Sequence, residues 1–484
     1  MSIVSRPGLS RLKPEYWMAL VLSIIIPVLL MMISRYYYLL LLIPFFILFL
    51  VGFAKDIRSF LYVIAFVSPL SVLLSEFIPS GSFDLYIPSE PLIVIFFLLF
   101  IISRGRHEYD STAVFSHPVT LIILFNLLWL LVTSVTSTLP VVSFKFFLSR
   151  LLYVAVFYFV GLLVFRDDRA IKRFAWMFIA GLSAVIIYTL YKLYAYGLFN
   201  RNAAHFVMQP FFKDHTSYGA MIAMFFPFLT GMIFIRQNLY LRIFAGILTL
   251  LFLIALVYSY SRAAWLSLIV AAIAILIIRL RIRTSVVVLA VLIFIFFVGI
   301  SFNTLFMQME RNRQGTDEDL AKHLQSVSNV TTDASNRERI NRWKCAIAMF
   351  QEKPLFGWGP GTYMFQYAPF QHSADLTPIS TNAGILGSAH SEYLGPLAES
   401  GLPGFLSMII LMAAVIYFGI KNFRQARQPE SKIIVLAVLA GLITYGTHGL
   451  LNNFLDTDKA SVAFWSFIAI ITTARNDKQP NKCG

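Results

Sequence analysis

The sequence predicts an all-α integral membrane protein, a polytopic bundle of 12–14 transmembrane helices. Three observations support this fold class. Hydrophobic residues make up 58% of the 484 residues and charged residues only 13%, whereas soluble proteins carry about 25% charged residues. Fourteen runs are apolar enough to cross a membrane. The charges between these runs also follow the distribution that membrane proteins show.

The apolar runs are close to the roughly 20 residues that a helix needs to cross about 30 Å of hydrocarbon. Only Arg35 separates the first two, so they are either two spans or a re-entrant pair, which sets the range of 12–14. In chain order the runs are 16–34, 36–54, 58–77, 88–103, 116–136, 147–165, 172–191, 217–235, 240–258, 262–279, 284–305, 396–420, 432–452 and 459–474.

The net charge of +15 is explained by topology. With both termini in the cytoplasm, the inner connections hold the whole positive excess and the outer connections are neutral. Lys and Arg concentrate in the cytoplasmic loops of membrane proteins, so we predict this orientation and no nucleic-acid partner. The two cysteines, Cys345 and Cys483, then lie on opposite sides of the membrane and cannot pair.

The predicted spans divide the chain into three parts. Residues 1–305 form an N-terminal transmembrane bundle, and residues 396–484 form the C-terminal transmembrane helices and a cytoplasmic tail. Between them, residues 306–395 form one large outer loop between the eleventh and twelfth spans. This loop is the only candidate soluble domain, and a shorter outer connection covers 192–216.

A helix is predicted inside the large loop. Ser335 and Glu338 fit a capping box, in which the two side chains satisfy free backbone N–H groups. An apolar stripe follows at helical spacing, and Arg339 and Arg342 lie off it, one turn apart. The two arginines either face a shared anionic ligand or form a solvated helix face. The stripe consists of Ile340, Trp343, Ile347 and Phe350.

Two further features of the loop carry possible chemistry. Residues 354–361, PLFGWGPG, superficially resemble a phosphate loop, but they follow a helix rather than a strand, which favours a tight turn packed by aromatic residues. His390 stands at the entrance of the span 396–420, beside Glu392 and ahead of Glu399. An imidazole there can accept a proton near neutral pH, and a purely structural histidine is the alternative.

Three motifs in order resemble those of the O-antigen ligase superfamily. His390 and Ser391, with glycines at 401 and 404, fit the pattern H-[NSQ]-x9-G-x-x-G. Arg339 and Trp343, followed by 354–361, are similar to R-x3-W and PLxGxGPG. Residues 258–265, YSYSRAAW, look like S-x-SR at an outer helix end. The resemblance covers roughly residues 200–455, and the superfamily includes O-antigen ligases, polymerases and protein O-oligosaccharyltransferases.

The resemblance implies an inverting glycan transfer at the periplasmic face of a bacterial inner membrane. The donor would be an undecaprenyl-diphosphate-linked glycan, and no cofactor or metal would take part. His390 would act as general base, and Arg262 and Arg339 would grip the diphosphate. We also predict substrate contacts, to the diphosphate or the glycan, from Arg201, Lys213, His215, Arg342 and Glu399.

Several of these residues have a second interpretation. The superfamily uses a basic residue in the preceding outer loop, and here either Arg201 or Lys213 fits. His215 either contacts substrate or starts a helix with Thr216, and Arg262 either binds phosphate or anchors a span end at the membrane interface. Separately, the sequence DTD at 456–458 matches a metal-binding DxD, although an acidic turn beside a lysine explains it more simply.

The acceptor is the open point of the functional prediction. The leading prediction is a ligase, which would use lipid A–core. A polymerase, which would use a second lipid-linked glycan, is the runner-up, and a protein acceptor is the third choice. Membrane lipids would surround the acceptor in each case. A transporter or lipid flippase is the rival from another class. Against it stand the lack of an internal repeat and the few ionisable residues at mid-span. A structural scaffold is the least favoured reading.

Overall fold

Helices account for most of the backbone that the structure describes. The computed structural model describes residues 57–76, 85–104, 115–236, 238–283, 334–373 and 387–473, with isolated positions at 285–297, 376 and 380. The longer helices in chain order are α1 (Ile57–Val67), α2 (Ser89–Arg104), α3 (Pro118–Val135), α4 (Pro140–Val164), α5 (Asp168–Tyr196), α6 (His215–Phe234), α7 (Leu239–Tyr258), α8 (Arg262–Arg279), α9 (Ala334–Glu352), α10 (Leu394–Gln425), α11 (Pro429–His448) and α12 (Asp458–Thr473).

Eight of the helices in the described parts of the chain are long and apolar enough to cross a membrane: α3 to α8, α10 and α11. Each one coincides with a span predicted from the sequence. The prediction of an all-α polytopic membrane protein is therefore confirmed. The predicted spans 16–34 and 36–54 lie outside the described residues, and only isolated positions of 284–305 are described.

The predicted span 58–77 is not one continuous helix, and that prediction is wrong. Helix α1 ends at Val67, and a 3-10 turn over Ser68–Leu70 follows. Pro69 has no backbone N–H to donate to a continuing helix. Two short antiparallel strands, β1 (Val72–Leu73) and β2 (Tyr86–Ile87), then connect α1 to α2.

Apolar side chains cover the outside of the bundle as well as its core. Helix α7 directs large apolar residues outward along its whole length, and α8 does the same with Leu266, Ile269, Ile273 and Leu276. Exposure of such a continuous apolar surface to water is unfavourable, whereas its exposure to lipid is not. The outward residues of α7 are Leu241, Phe244, Ile247, Leu250, Leu253, Ile254 and Val257.

Helix α12 forms the centre of the bundle. Every residue from 458 to 471 is buried, and the helix packs against α4, α10 and α11. Helix α4 widens into a π-helical turn over Val154–Val160 where α12 contacts it. With only 16 residues, α12 is shorter than the spans around it.

Helix α9 lies on the first turns of α10 and builds a second, smaller core. Its members from both helices and from the loop between them are Cys345, Ala346, Met349, Tyr363, Tyr367, Ala389 and Ala398. The large loop therefore packs onto the helix that follows it over residues 334–373 and 387–393. Residues 308–332 lie outside the described residues.

The apolar stripe predicted for α9 does not form its buried face, so that prediction is wrong. Ile347 is exposed, while the buried positions are Glu338, Asn341, Arg342, Cys345, Ala346 and Met349. The charged residues tolerate burial because they pair with each other. The capping box stays a prediction, because the side chain of Ser335 lies outside what the structure describes. The Glu338 carboxylate accepts hydrogen bonds from Arg342 and Ser380.

Candidate functional site

Successive helices run in opposite directions, and this brings several motifs to one end of the bundle, called here the site end. Helices α6, α8 and α10 begin there, and α11 finishes there. The charges of Arg262 and Arg339 both act on His215 at the start of α6. The backbone N–H of Glu392, just before α10, donates to the carbonyl oxygen of Gly449, just after α11, at 2.8 Å.

His390 lies in the loop before α10 with its backbone in the left-handed region, at a φ of +48°. Its carbonyl oxygen accepts a hydrogen bond from Trp343 Nε1 at 3.4 Å, and its N–H donates to Ser388 Oγ at 3.3 Å. Burial lowers the pKa of His390 to about 4, and the nearby positive charges of Arg339 and Arg342 act in the same direction. The imidazole is therefore neutral at physiological pH and is able to accept a proton.

Arg342 is held rigidly beside His390. Its Nε donates to Glu338 Oε1 at 2.6 Å, and its guanidinium carbon lies 3.8 Å from the centre of the Tyr367 ring. The guanidinium also packs against the backbone of Gly387. Only 2% of Arg342 is exposed, so it is a fixed positive charge behind the imidazole, and contact with substrate stays a prediction.

Arg339 is less buried than Arg342 and reaches several groups of the site. Its charge acts on three histidines, His215, His390 and His448, which come from three different segments of the chain. Arg339 thus contributes positive charge at all three histidines. This position suits the diphosphate role predicted for it, a role that stays a prediction.

Asp214 is an acidic residue of the site that the sequence reasoning missed. It is the N-cap of α6, where its side chain accepts from the N–H groups of Thr216 at 3.0 Å and Ser217 at 2.8 Å. Burial raises the pKa of Asp214, but these hydrogen bonds and the neighbouring His215 outweigh it, and the net pKa is lowered. An aspartate two positions before a serine or threonine at a helix start is the cap signal that could have found it.

His215 occupies the first position of α6, and the cap itself is Asp214. The ring of His215 lies 4.1 Å from the ring of His205, measured between centroids. His205 was not predicted, and no sequence pattern indicated it. His205 belongs to the loop 197–214, and the charges of Arg262 and Arg339 act on His215.

Arg262 is the first residue of α8 and is half-buried, as expected for an arginine at a span end. Of the two basic candidates in the preceding loop, Arg201 lies next to it, because the Arg201 guanidinium stacks 5.5 Å from the ring centre of Tyr260. Tyr260 is two residues before Arg262. Lys213 is exposed and adjoins Asp214.

The two glutamates after His390 hold loops together. Glu392 Oε1 accepts hydrogen bonds from the Tyr445 hydroxyl and from the N–H groups of Phe454 and Leu455 at 2.6–2.8 Å. Burial raises the pKa of Glu392. Glu399 Oε1 accepts from the N–H of Tyr363 at 2.9 Å and so fastens the turn 354–361 to α10. The substrate contact predicted for Glu399 stays a prediction.

The turn 354–361 and the kink of α10 are packed backbone to backbone. The N–H of Gly359 donates to the Glu399 carbonyl at 2.8 Å, and the N–H of Leu402 donates to the Pro354 carbonyl at 2.9 Å. Gly401 has a φ of +65°, and a Cβ there would lie 2.1 Å from the Leu355 carbonyl oxygen. Two of the motifs are thus one structural unit, and stacking of Phe356 on Trp129 packs the turn.

Both carboxylates of the DTD sequence form ion pairs. Asp456 accepts from Arg150 at 2.9 Å, and Asp458 lies 3.2 Å from the ammonium of Lys459. Asp458 also accepts hydrogen bonds from Ser71 and Ser89. Within the described part of the chain, no three His, Cys, Asp or Glu side chains are grouped so as to hold a metal ion.

The fold and the site define a polytopic membrane protein in which the motif residues Arg262, Arg339 and His390 lie at one end of the helices. A comparison with known families agrees with the motifs: residues 247–409 match the family model described as O-antigen ligase. The resemblance to the O-antigen ligase superfamily is therefore confirmed over this range. It contains Arg262, Arg339, Arg342, His390 and Glu399, and it supports a membrane glycosyltransferase-like role in polysaccharide synthesis.

One relative of this chain has a name that states no function. A protein of Haemophilus influenzae named only as uncharacterized is 23% identical over 162 residues. The alignment covers 33% of this chain and 38% of that protein, so the chain spans less than two fifths of the relative's length.

Proposed function

We propose that this protein transfers a glycan from an undecaprenyl-diphosphate-linked donor to an acceptor hydroxyl at the periplasmic face of a bacterial inner membrane, with lipid A–core as the acceptor. The observation that carries the proposal is the neutral, buried imidazole of His390 with Arg339 and Arg342 beside it. A base and a binding site for a diphosphate are the two elements that this reaction needs.

The bond changes follow from these positions. The acceptor oxygen attacks the anomeric carbon while its proton passes to a ring nitrogen of His390. The bond from that carbon to the diphosphate oxygen breaks, and the electron pair leaves with undecaprenyl diphosphate. Because attack and departure occur on opposite faces, the anomeric configuration inverts.

The arginines stabilise the charge that develops on the leaving group. Arg262 and Arg339 come from α8 and α9, and both act on His215, so they approach one centre from two helices. Guanidinium groups bind phosphate through two parallel hydrogen bonds. The fixed charge of Arg342 adds to the positive potential that stabilises the leaving group. It also lowers the pKa of His390.

Binding of the donor would also change the proton affinity of His390. In the free protein the positive charges of Arg339 and Arg342 weaken the proton affinity of His390. A diphosphate seated on those arginines brings compensating negative charge and raises that affinity. The imidazole would therefore become a stronger base when the donor is in place.

The test is reconstitution of the purified protein in lipid vesicles with a defined undecaprenyl-diphosphate glycan and two competing acceptors, lipid A–core and a second donor molecule. Glycan attached to lipid A–core is the expected product. Growth of the lipid-linked glycan instead would identify a polymerase. Movement of the donor across the bilayer without transfer would contradict the proposal and favour a flippase.

A further inference from the structure

His448 is a buried histidine that the mechanism above does not use. It is the last residue of α11 and is 1% exposed. Neither ring nitrogen has a hydrogen-bond partner among the described residues. A buried polar group without a partner is costly, and such groups in native proteins call for an explanation in terms of function or a bound molecule.

The position of His448 places it at the site. The next residue, Gly449, accepts hydrogen bonds through its carbonyl from the Glu392 N–H at 2.8 Å and from Ser391 Oγ at 3.4 Å. The charges of Arg339 and Asp214 act on both His448 and His390. The two histidines, one from α11 and one from the loop before α10, are therefore subject to the same two charges.

Asn452 is a second buried residue with a polar side-chain atom that lacks a hydrogen-bond partner. Asn452 is 3% exposed, and its Nδ2 has no hydrogen-bond partner among the described residues. Its backbone N–H donates to the His448 carbonyl at 3.2 Å, so the two residues belong to one turn. Two buried side chains with unpaired polar atoms on a single turn point to a polar molecule that binds there.

The chemistry of the imidazole narrows the choice of molecule. A neutral imidazole presents one N–H donor and one acceptor nitrogen, and an amide Nδ2 adds a further donor. A diphosphate offers only acceptors, so it cannot satisfy the acceptor nitrogen. Sugar hydroxyls donate and accept, and they can satisfy both ring nitrogens together with the amide.

We propose that His448 and Asn452 bind the first sugar of the lipid-linked donor, the one whose anomeric carbon reacts. The inference rests on the proposed function, which assigns the diphosphate to Arg339 and the acceptor proton to His390. The sugar lies between these two groups in the reaction. His448 is near enough to Arg339 for its charge to act on the ring, and the neighbouring Gly449 is hydrogen-bonded to Ser391, the residue after His390. The two residues position the sugar and are not catalytic.

The experiment measures binding to the purified full-length protein in lipid nanodiscs with two probes. One is undecaprenyl diphosphate carrying a single N-acetylglucosamine, and the other is undecaprenyl diphosphate alone. His448→Phe keeps a ring but removes both nitrogens. We expect about tenfold weaker binding of the sugar-bearing probe, as for the loss of a hydrogen bond in a buried site, and unchanged binding of the bare diphosphate.

Two further variants test whether the effect is specific. His448→Asn restores a donor and an acceptor and should recover part of the affinity. Ser466→Ala is the matched control, because Ser466 is another fully buried group of the described chain without a hydrogen-bond partner, located within α12. It should bind both probes as the wild type does. Should His448→Phe fail to fold, Asn452→Leu makes the same test.

Three results would overturn the inference, and they differ in meaning. If the wild type binds neither probe, the proposed function fails and the inference fails with it. If the wild type binds both probes equally, the donor diphosphate binds but no sugar subsite exists. If the wild type prefers the sugar-bearing probe and neither His448→Phe nor Asn452→Leu weakens that preference, the sugar binds elsewhere.

Discussion

The surroundings of His390, rather than its residue type, decide its protonation state. An unperturbed histidine is partly charged near pH 6.5, but burial and two neighbouring arginines lower the pKa of His390 to about 4. A general base must be neutral before it acts. Arg339, which would bind the diphosphate, therefore also helps to keep the base in its reactive form.

Replacing His390 by alanine should reduce glycan transfer by about 10²–10⁴-fold, the usual contribution of general-base catalysis. Donor binding should persist, because the arginines remain. Turnover and donor binding by purified protein measure the two effects. His372→Ala is the matched control, since His372 is an exposed histidine of the same loop. Full activity of His390→Ala would remove the base from the proposal.

Arg262→Lys should lower kcat/KM at least about tenfold, although the charge is kept. One ammonium cannot reproduce the planar pair of donors that a guanidinium offers to phosphate. Lys213→Arg is the control, because it makes the opposite exchange at an exposed position of the site end. It should change activity little if Arg201 is the basic residue of the loop 197–214. Normal kinetics of Arg262→Lys would indicate that Arg262 anchors the span end at the membrane interface and does not bind phosphate.

The pH dependence follows from the lowered pKa of His390, about 4 in the free protein. As pH falls, kcat/KM for the donor should stay level until about pH 5 and then decline, because protonation removes the base. The acid limb of kcat should lie at higher pH, since bound diphosphate opposes the arginines. An acid limb of kcat/KM near pH 6.5 would mean an unperturbed imidazole and would contradict the structure.

At the scale of elements, apolar periodicity located the helices but not always their buried faces. Helix α9 buries Glu338 and Arg342 and exposes Ile347, the reverse of what its stripe predicted. The burial of charge depends on partners from distant positions, Tyr367 and Ser380. A single sequence does not reveal such partners, because they are set by how the loop folds back on itself.

The motif glycines illustrate the opposite case, where sequence and structure agree. Gly401 bends α10, and its missing side chain lets Leu355 approach. Gly401→Ala should lower the free energy of unfolding by about 1–3 kcal/mol, the cost of a strained backbone, and should also reduce activity. Gly246→Ala is the control, because no atom lies within 4 Å of a Cβ there. Thermal unfolding in detergent compares them, and equal stability would contradict the tight packing.

For the whole molecule, hydropathy predicted most spans correctly because the bilayer imposes both length and composition. Hydropathy did not predict the break of 58–77 at Pro69. The site was only partly predictable. Motifs gave His390, Arg262 and Arg339, whereas His205 and His448 belong to no motif and Asp214 carries only a helix-cap signal. Their role follows from helices meeting in space, which the linear pattern does not encode.

The sidedness of the bundle is the prediction at this scale. Phe199 lies 81% exposed in the loop after α5, at the site end, and Gln428 lies exposed between α10 and α11 at the opposite end. In a background with Cys345→Ala and Cys483→Ser, a membrane-impermeant maleimide should label Phe199→Cys from the periplasm and not Gln428→Cys. The reverse labelling would put the site in the cytoplasm and contradict the enzyme assignment.

The shortness of α12 has a consequence for how the protein is made. Its 16 residues rise about 24 Å, less than the roughly 30 Å of hydrocarbon, and its first turn carries the ion pair of Asp458 and Lys459. Insertion of such a segment into lipid alone would be unfavourable. During biogenesis α12 must therefore enter a cleft that the helices described before it in the chain have already formed.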